Sequence, residues 1–142
     1  MSDSIRVQRP GKKIEVNDAG EYITLDLYDI GFMGRVLELI KQFEDGAKSL
    51  SAQAEAASRE SVDEIRELAR KSDEECGALA VKIDETFGAD SCRKVFGERT
   101  PGIYELADFF GQIGELIKKY GDERIGKYRE KYGKYNQTGA RE

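Results

Sequence analysis

The stretch that decides the fold is Thr86-Phe87-Gly88-Ala89-Asp90-Ser91-Cys92-Arg93-Lys94-Val95-Phe96-Gly97. Two Phe-Gly pairs bracket a short segment, which we predict to be a helix over about residues 90–96. Each glycine stands where a helix ends on a residue that tolerates a left-handed conformation, and each preceding phenylalanine is placed to turn back into the core. The stretch therefore predicts a corner between two packed helices.

The helix that enters this corner has apolar residues at helical spacing from Ser61 onward. Ser61, with Glu64 three residues later, forms a capping-box pattern that marks a helix start. Further upstream, Asp29 is a candidate N-cap for another helix, which we expect to end at Asp45-Gly46. Residues 47–60 have high helix propensity and little to bury, so they either continue a helix or form a connector.

The helix that leaves the corner is strongly apolar. Thr100 and Pro101 suit its N-cap and its first helical position, and Gly121 suits its end. We interpret Gly111 and Gly114, three residues apart, as the site of a close helix–helix contact. Apolar residues cover most of its circumference, so it is either a central core helix or a helix with a partner-binding face.

The N-terminal part of the domain predicts a β-hairpin. Residues 13–16 and 22–27 alternate between apolar and polar, and Gly20 in the turn between them is expected to have a positive φ. Ile23, Leu25 and Leu27 share one face, which must be covered because a lone hairpin is barely stable. The predicted fold is mainly α, a helical bundle with an N-terminal β-hairpin. Residues 1–12 form a flexible arm, 13–120 a single domain, and 121–142 a basic, tyrosine-containing tail.

Composition narrows the class of protein. The chain has 142 residues and a net charge of −5, with no histidine, which removes the commonest general base and metal ligand. No phosphate-binding glycine loop and no nucleophile elbow are present, so we predict no catalytic, cofactor or metal site. Cys76 and Cys92 are interpreted as small buried apolar residues. Without a signal core or an apolar run of roughly 18 residues, we expect a cytoplasmic protein that makes no membrane contact.

Large apolar residues on the last helix are the candidates for partner binding. Two phenylalanines of an earlier helix are candidate walls of the same site. Most of these residues could equally be plain core residues. The candidate partner-binding residues are Phe109, Phe110, Ile113, Leu116 and Ile117, with Phe32 and Phe43 as walls.

The order of these parts resembles the small tail assembly chaperones encoded by phages and prophages of Gram-positive bacteria. The resemblance covers about residues 13–120 and is carried by the segment Tyr22–Asp29, the two Phe-Gly pairs and the apolar helix around Asp108-Phe109-Phe110. It implies a non-enzymatic protein that binds the tape measure protein in the host cytoplasm and self-associates. An apolar groove would then receive helices of the partner.

Two other functions stay open. One is a structural virion protein of the tail or of the head–tail connector. The other is a phage protein that binds a host defence or regulatory complex, with the basic tail as the contact. Nucleic-acid binding is not expected, because acidic residues dilute the charge of the tail and the rest of the chain is acidic.

Overall fold

The computed structural model describes residues 3–7, 11–57 and 60–140, with side chains up to residue 121. Within these ranges the chain forms one β-hairpin and four α-helices, three of them long. The predicted mainly helical fold with an N-terminal hairpin is confirmed. The elements are β1 (Lys12–Glu15), β2 (Tyr22–Leu25), α1 (Ile30–Ala56), α2 (Val62–Phe87), α3 (Ser91–Phe96) and α4 (Ile103–Ala140).

The hairpin is antiparallel, with Ile14 opposite Ile23. Gly20 has a φ of 81°, which confirms the positive φ predicted for the turn. Ile23, Leu25 and Leu27 are all buried, so the predicted apolar face is confirmed as well. Strand β2 contacts α2 and α3. The helices therefore cover the face that a lone hairpin would expose to water.

Two helices begin at the residues that the sequence predicts. Asp29 caps α1, since its carboxylate accepts a hydrogen bond from the Phe32 backbone N–H at 3.2 Å. Ser61 caps α2 in the same way, with its hydroxyl accepting from the Glu64 N–H at 3.3 Å. Each cap satisfies an N–H group that has no partner inside its own helix.

Helix α4 begins two residues later than the predicted Pro101. Pro101 is almost fully buried, and helical hydrogen bonding starts where the Leu106 N–H donates to the Gly102 carbonyl at 3.0 Å. Arg99 reaches forward across this start to pair with Glu105 in the first turn, at 2.7 Å. Pro101 thus belongs to the core segment that leads into the helix, and the prediction of its position was wrong.

The two predicted helix ends at Gly46 and Gly121 were also wrong, because both glycines lie inside helices. A glycine in a helix interior costs only about 1 kcal/mol relative to alanine, and favourable tertiary contacts override that cost. At Gly46, a Cβ atom would lie 2.5 Å from the Glu75 carboxylate, so the glycine lets a side chain of α2 lie against α1. Helix α1 therefore continues to Ala56, and α4 continues through Gly121 to Ala140.

Helices α2 and α4 both run antiparallel to α1. Between α1 and α2, Lys82 donates to Gln42 at 2.6 Å and Lys71 donates to Gln53 at 3.0 Å. Towards α4, the rings of Phe43 and Phe110 have centroids 5.2 Å apart. At the other end of this contact, Met33 lies 4.0 Å from the position that a Cβ at Gly121 would occupy.

A continuous network of phenylalanine rings runs through the hydrophobic core. Phe109 is its centre, with ring centroids 5.7 Å from Phe87, 5.5 Å from Phe96 and 5.4 Å from Phe110. Phe32 joins through Phe87, and Phe43 joins through Phe110. All six phenylalanines of the chain take part. Edge-on and tilted ring pairs add to the free energy gained by burying these side chains, so the network fixes how α1, α2, α3 and α4 meet.

Candidate functional site

The Phe-Gly corner builds one wall of the candidate site. Gly88 and Gly97 have positive φ values of 115° and 88°, but neither adopts the left-handed conformation predicted for both. Their ψ values of 157° and −175° are extended, so the two glycines lie outside the left-handed helical region, in one that is essentially restricted to glycine. Asp84 ties α3 to the end of α2, because its carboxylate accepts from the Cys92 N–H at 2.8 Å.

The hairpin is fastened to α3 by polar contacts that sequence reasoning missed. The Asn17 side-chain amide donates to the Lys94 carbonyl at 3.0 Å. Arg93 pairs with Glu21 at 2.9 Å. Asn17 lies in the turn between the two strands, where the sequence predicts nothing beyond the turn, and no signal in the sequence links Glu21 to a residue 72 positions away. These contacts hold the hairpin beside the corner.

A groove lies between the hairpin and α4, with α3 contributing part of its lining. We call it the hairpin–α4 groove. Its volume is about 340 Å³, at the small end of the range for ligand pockets. Three carboxylates and no lysine or arginine are among its lining residues, so a cationic partner is favoured at its edge. The groove is lined by Ile14, Glu15, Val16, Ile23, Val95, Phe96, Glu105, Asp108, Phe109, Gln112, Ile113 and Leu116.

The structure brings three of the predicted partner-binding residues into this groove. They are Phe109, Ile113 and Leu116. Of these, only Leu116 is half-buried rather than buried. The lining from the hairpin and from α3 was not predicted as part of a site. The only sequence signal for this part of the lining is the alternation of apolar and polar residues in β1. That alternation predicts an apolar side of the strand, but it does not identify α4 as the helix that packs beside it.

The other four candidate residues lie in the core and do not line the groove. They are Phe110, Ile117, Phe32 and Phe43, each less than one-tenth exposed. In the isolated chain their apolar surface is already covered, so direct contact with a partner would require the core to open. Their role in partner binding stays a prediction.

The three carboxylates of the groove differ in whether a basic side chain neutralises their charge. Arg99 donates two hydrogen bonds of 2.7 Å to Glu105, and this pairing lowers the pKa of the Glu105 carboxyl below its ordinary value. Asp108 accepts a hydrogen bond from Gln112 at 3.1 Å. Among the described residues, neither Asp108 nor Glu15 forms an ion pair with a cation. These two carboxylates supply the negative charge that an incoming group would meet.

Both cysteines are buried, which confirms their predicted placement. Burial raises the pKa of the Cys92 thiol to about 11 and raises the pKa of Cys76 as well. Cys92 is therefore a neutral thiol at physiological pH, and neutral thiols are poor nucleophiles. In the part of the chain that the structure describes, no cluster of three potential metal ligands occurs, and no helix is long and apolar enough to cross a membrane.

The Glu21–Arg93 ion pair predicts a pH dependence of stability. The hydrogen bond from Arg93 holds the pKa of the Glu21 carboxyl below its ordinary value of 4.5. A carboxyl with a lowered pKa stabilises the fold above that ordinary value, and the contribution is lost as the pH falls through the lower value in the folded state. As the pH falls from about 5 to about 3, we expect the free energy of unfolding to decrease less in Glu21→Gln than in the wild type. Urea unfolding at each pH measures this free energy.

Glu44→Gln is the matched control for this experiment. Glu44 is exposed on α1 and forms no ion pair with the described residues. This variant should keep the pH dependence of the wild type. An unchanged pH dependence in Glu21→Gln would show that the hairpin does not depend on its ion pair with α3.

The fold and the groove together define a class: a small, mainly helical protein with an apolar groove between an N-terminal hairpin and a long C-terminal helix. The chain belongs to the Family of unknown function (DUF6673), whose model matches residues 19–142. This match includes the C-terminal segment of α4, which lies outside the resemblance to tail assembly chaperones. No curated protein and no solved structure matches the chain. The family description assigns no function, so function rests on the groove and on the resemblance.

Proposed function

We propose that this protein is a non-enzymatic phage tail assembly chaperone that holds an apolar helix of the tape measure protein. The observation that carries the proposal is the hairpin–α4 groove, a cleft of about 340 Å³ whose lining combines apolar side chains with three carboxylates. The resemblance to tail assembly chaperones suggests the class of partner. Self-association in the host cytoplasm belongs to the same proposal.

The groove suits an amphipathic helix, whose residues at positions i, i+3 or i+4 and i+7 form one apolar stripe. Phe109 lines the groove and also contacts three other phenylalanine rings, so this part of the lining is held by the core. A surface that is already ordered loses little side-chain entropy when a partner binds. The carboxylates keep the apolar surface hydrated at its edge and disfavour acidic partners.

The proposal is tested by co-expressing the chain with the longest coiled-coil-like protein encoded beside it. Light scattering then gives the mass of the purified material. We expect a soluble complex with several copies of this chain for each copy of the partner. A monomer that does not bind this neighbour would overturn the proposal. Recovery of the chain in purified virions would favour a structural virion protein, and binding to nucleic acid at physiological salt would favour a host-directed role.

A polar substitution in the groove should weaken partner binding without unfolding the protein. Leu116→Ser removes a half-buried apolar side chain from the lining, and we expect the dissociation constant to rise at least about tenfold. Leu37→Ser is the matched control, because Leu37 is 53% exposed on α1 and does not line the groove. Titration calorimetry compares the two variants, and circular dichroism checks that both fold. Equal losses in both variants would place the partner elsewhere.

A further inference from the structure

The N-terminal arm carries two apolar side chains that nothing in the described chain covers. Residues 3–7 of the arm have no regular secondary structure, and Ile5 is 94% exposed and Val7 82% exposed. They are the most exposed aliphatic side chains among the large hydrophobic residues of the described part. Because they are two positions apart, an extended backbone places both on the same side. The arm thus presents a short apolar edge.

The charge of the arm complements the charge of the groove. Residues 1–12 contain three basic residues, Arg6, Arg9 and Lys12, and one acidic residue, Asp3, so the arm as a whole is basic. The groove has Glu15, Glu105 and Asp108 in its lining and no basic residue. Since Glu15 and Asp108 form no ion pair with the described residues, both are available to a guanidinium group. The basic arm is therefore attracted to the acidic lining of the groove, and its two apolar side chains match the apolar part of that lining.

We propose that the hairpin–α4 groove receives the N-terminal arm of a second copy of this chain, with Ile5 and Val7 inserted between the hairpin and α4. The arm of the same chain does not fill the groove, as the exposure of both side chains shows. Reciprocal exchange, in which each copy gives its arm and receives that of its partner, closes a symmetric dimer. The volume of about 340 Å³ suits a few aliphatic side chains.

This dimer gives the arm a competitive role. A partner helix that enters the groove displaces the arm of the second copy, so the arm protects the apolar lining until the partner arrives. The inference does not depend on the identity of that partner. If the chaperone proposal fails, arm exchange can still be tested separately, because it depends only on the solution mass of the purified chain without any partner.

Sedimentation equilibrium over a range of concentrations tests the exchange with three variants. The arm variant is Ile5→Ser with Val7→Ser, the groove variant is Leu116→Ser, and the control is Leu37→Ser. We expect the wild type and the control to dimerise as concentration rises. The arm and groove variants should each raise the dimer dissociation constant by at least about tenfold.

Mixing the two defective variants gives the sharpest result. The arm variant keeps an intact groove and the groove variant keeps an intact arm, so an equimolar mixture should form a heterodimer held by one contact, heavier than either variant alone. A wild type that stays monomeric at every concentration would overturn the proposal, whether its groove is empty or holds its own arm. An arm variant that dimerises as well as the wild type would overturn it too. With the arm removed, partner binding should be strengthened at concentrations where the wild type dimerises, and unchanged binding there would contradict the competitive role.

Discussion

Replacement of Phe110 by alanine is expected to lower the free energy of unfolding by about 3–5 kcal/mol. The Phe110 side chain is 3% exposed, and its ring lies 5.2 Å from Phe43 and 5.4 Å from Phe109, measured between centroids. Truncation removes buried apolar surface and leaves a cavity between α1 and α4, because the surrounding rings relax only in part. Urea unfolding monitored by circular dichroism measures the loss directly.

The matched control is Tyr104→Ala on the same helix. Tyr104 is 88% exposed, and its replacement should change stability by no more than about 0.5 kcal/mol. A Phe110→Ala protein as stable as the control, but unable to bind its partner, would contradict the core role. It would instead assign this ring to an interface. The sequence alone allowed both roles, and burial favours the first.

This ambiguity shows where sequence reasoning stops. The helical spacing of α4 correctly predicts a helix, but its buried residues lie on one face and Tyr104 is 88% exposed, so the prediction that it is apolar on most of its circumference was wrong. Spacing also does not say which neighbour covers each buried residue. Phe110 faces Phe43 of α1, whereas Ile113 lines the groove beside the hairpin. The two positions are three residues apart, and only the packing of separate elements distinguishes them.

Local signals did predict the hairpin turn and two of the helix caps, because each depends on a few neighbouring residues. Gly20 supplies the positive φ of the turn, and Asp29 and Ser61 each bond to a backbone N–H three residues later. The predicted helix ends at Gly46 and Gly121 failed for the opposite reason. A glycine weakens a helix locally, but contacts from distant elements, such as Glu75 against Gly46, allow the helix to continue beyond it. The groove belongs to this second kind of feature, since its lining comes from the hairpin, α3 and α4 together.

Two glycine-to-alanine substitutions should change stability in opposite directions. Gly88→Ala is expected to destabilise the protein by about 1–3 kcal/mol, because its φ of 115° with ψ of 157° is a conformation that side chains other than glycine rarely adopt. Space is not the cause, since the nearest atom to an added Cβ, the Ser91 hydroxyl oxygen, lies 4.0 Å away. The cost comes from the backbone at the corner where α2 ends.

Gly111→Ala is the matched control, and it should stabilise the protein by about 0.5–1 kcal/mol. Gly111 is exposed inside α4, and no atom of the described chain lies within 4 Å of an added Cβ. The added methyl group lowers the entropy of the unfolded chain without a clash in the fold. Thermal and urea unfolding of both variants test the pair. A neutral Gly88→Ala would contradict the conformation of the corner. A destabilising Gly111→Ala would contradict the open space beside Gly111. The close helix contact predicted from the Gly111 and Gly114 spacing is not formed within the described chain, since no atom lies within 4 Å of a Cβ added at either glycine.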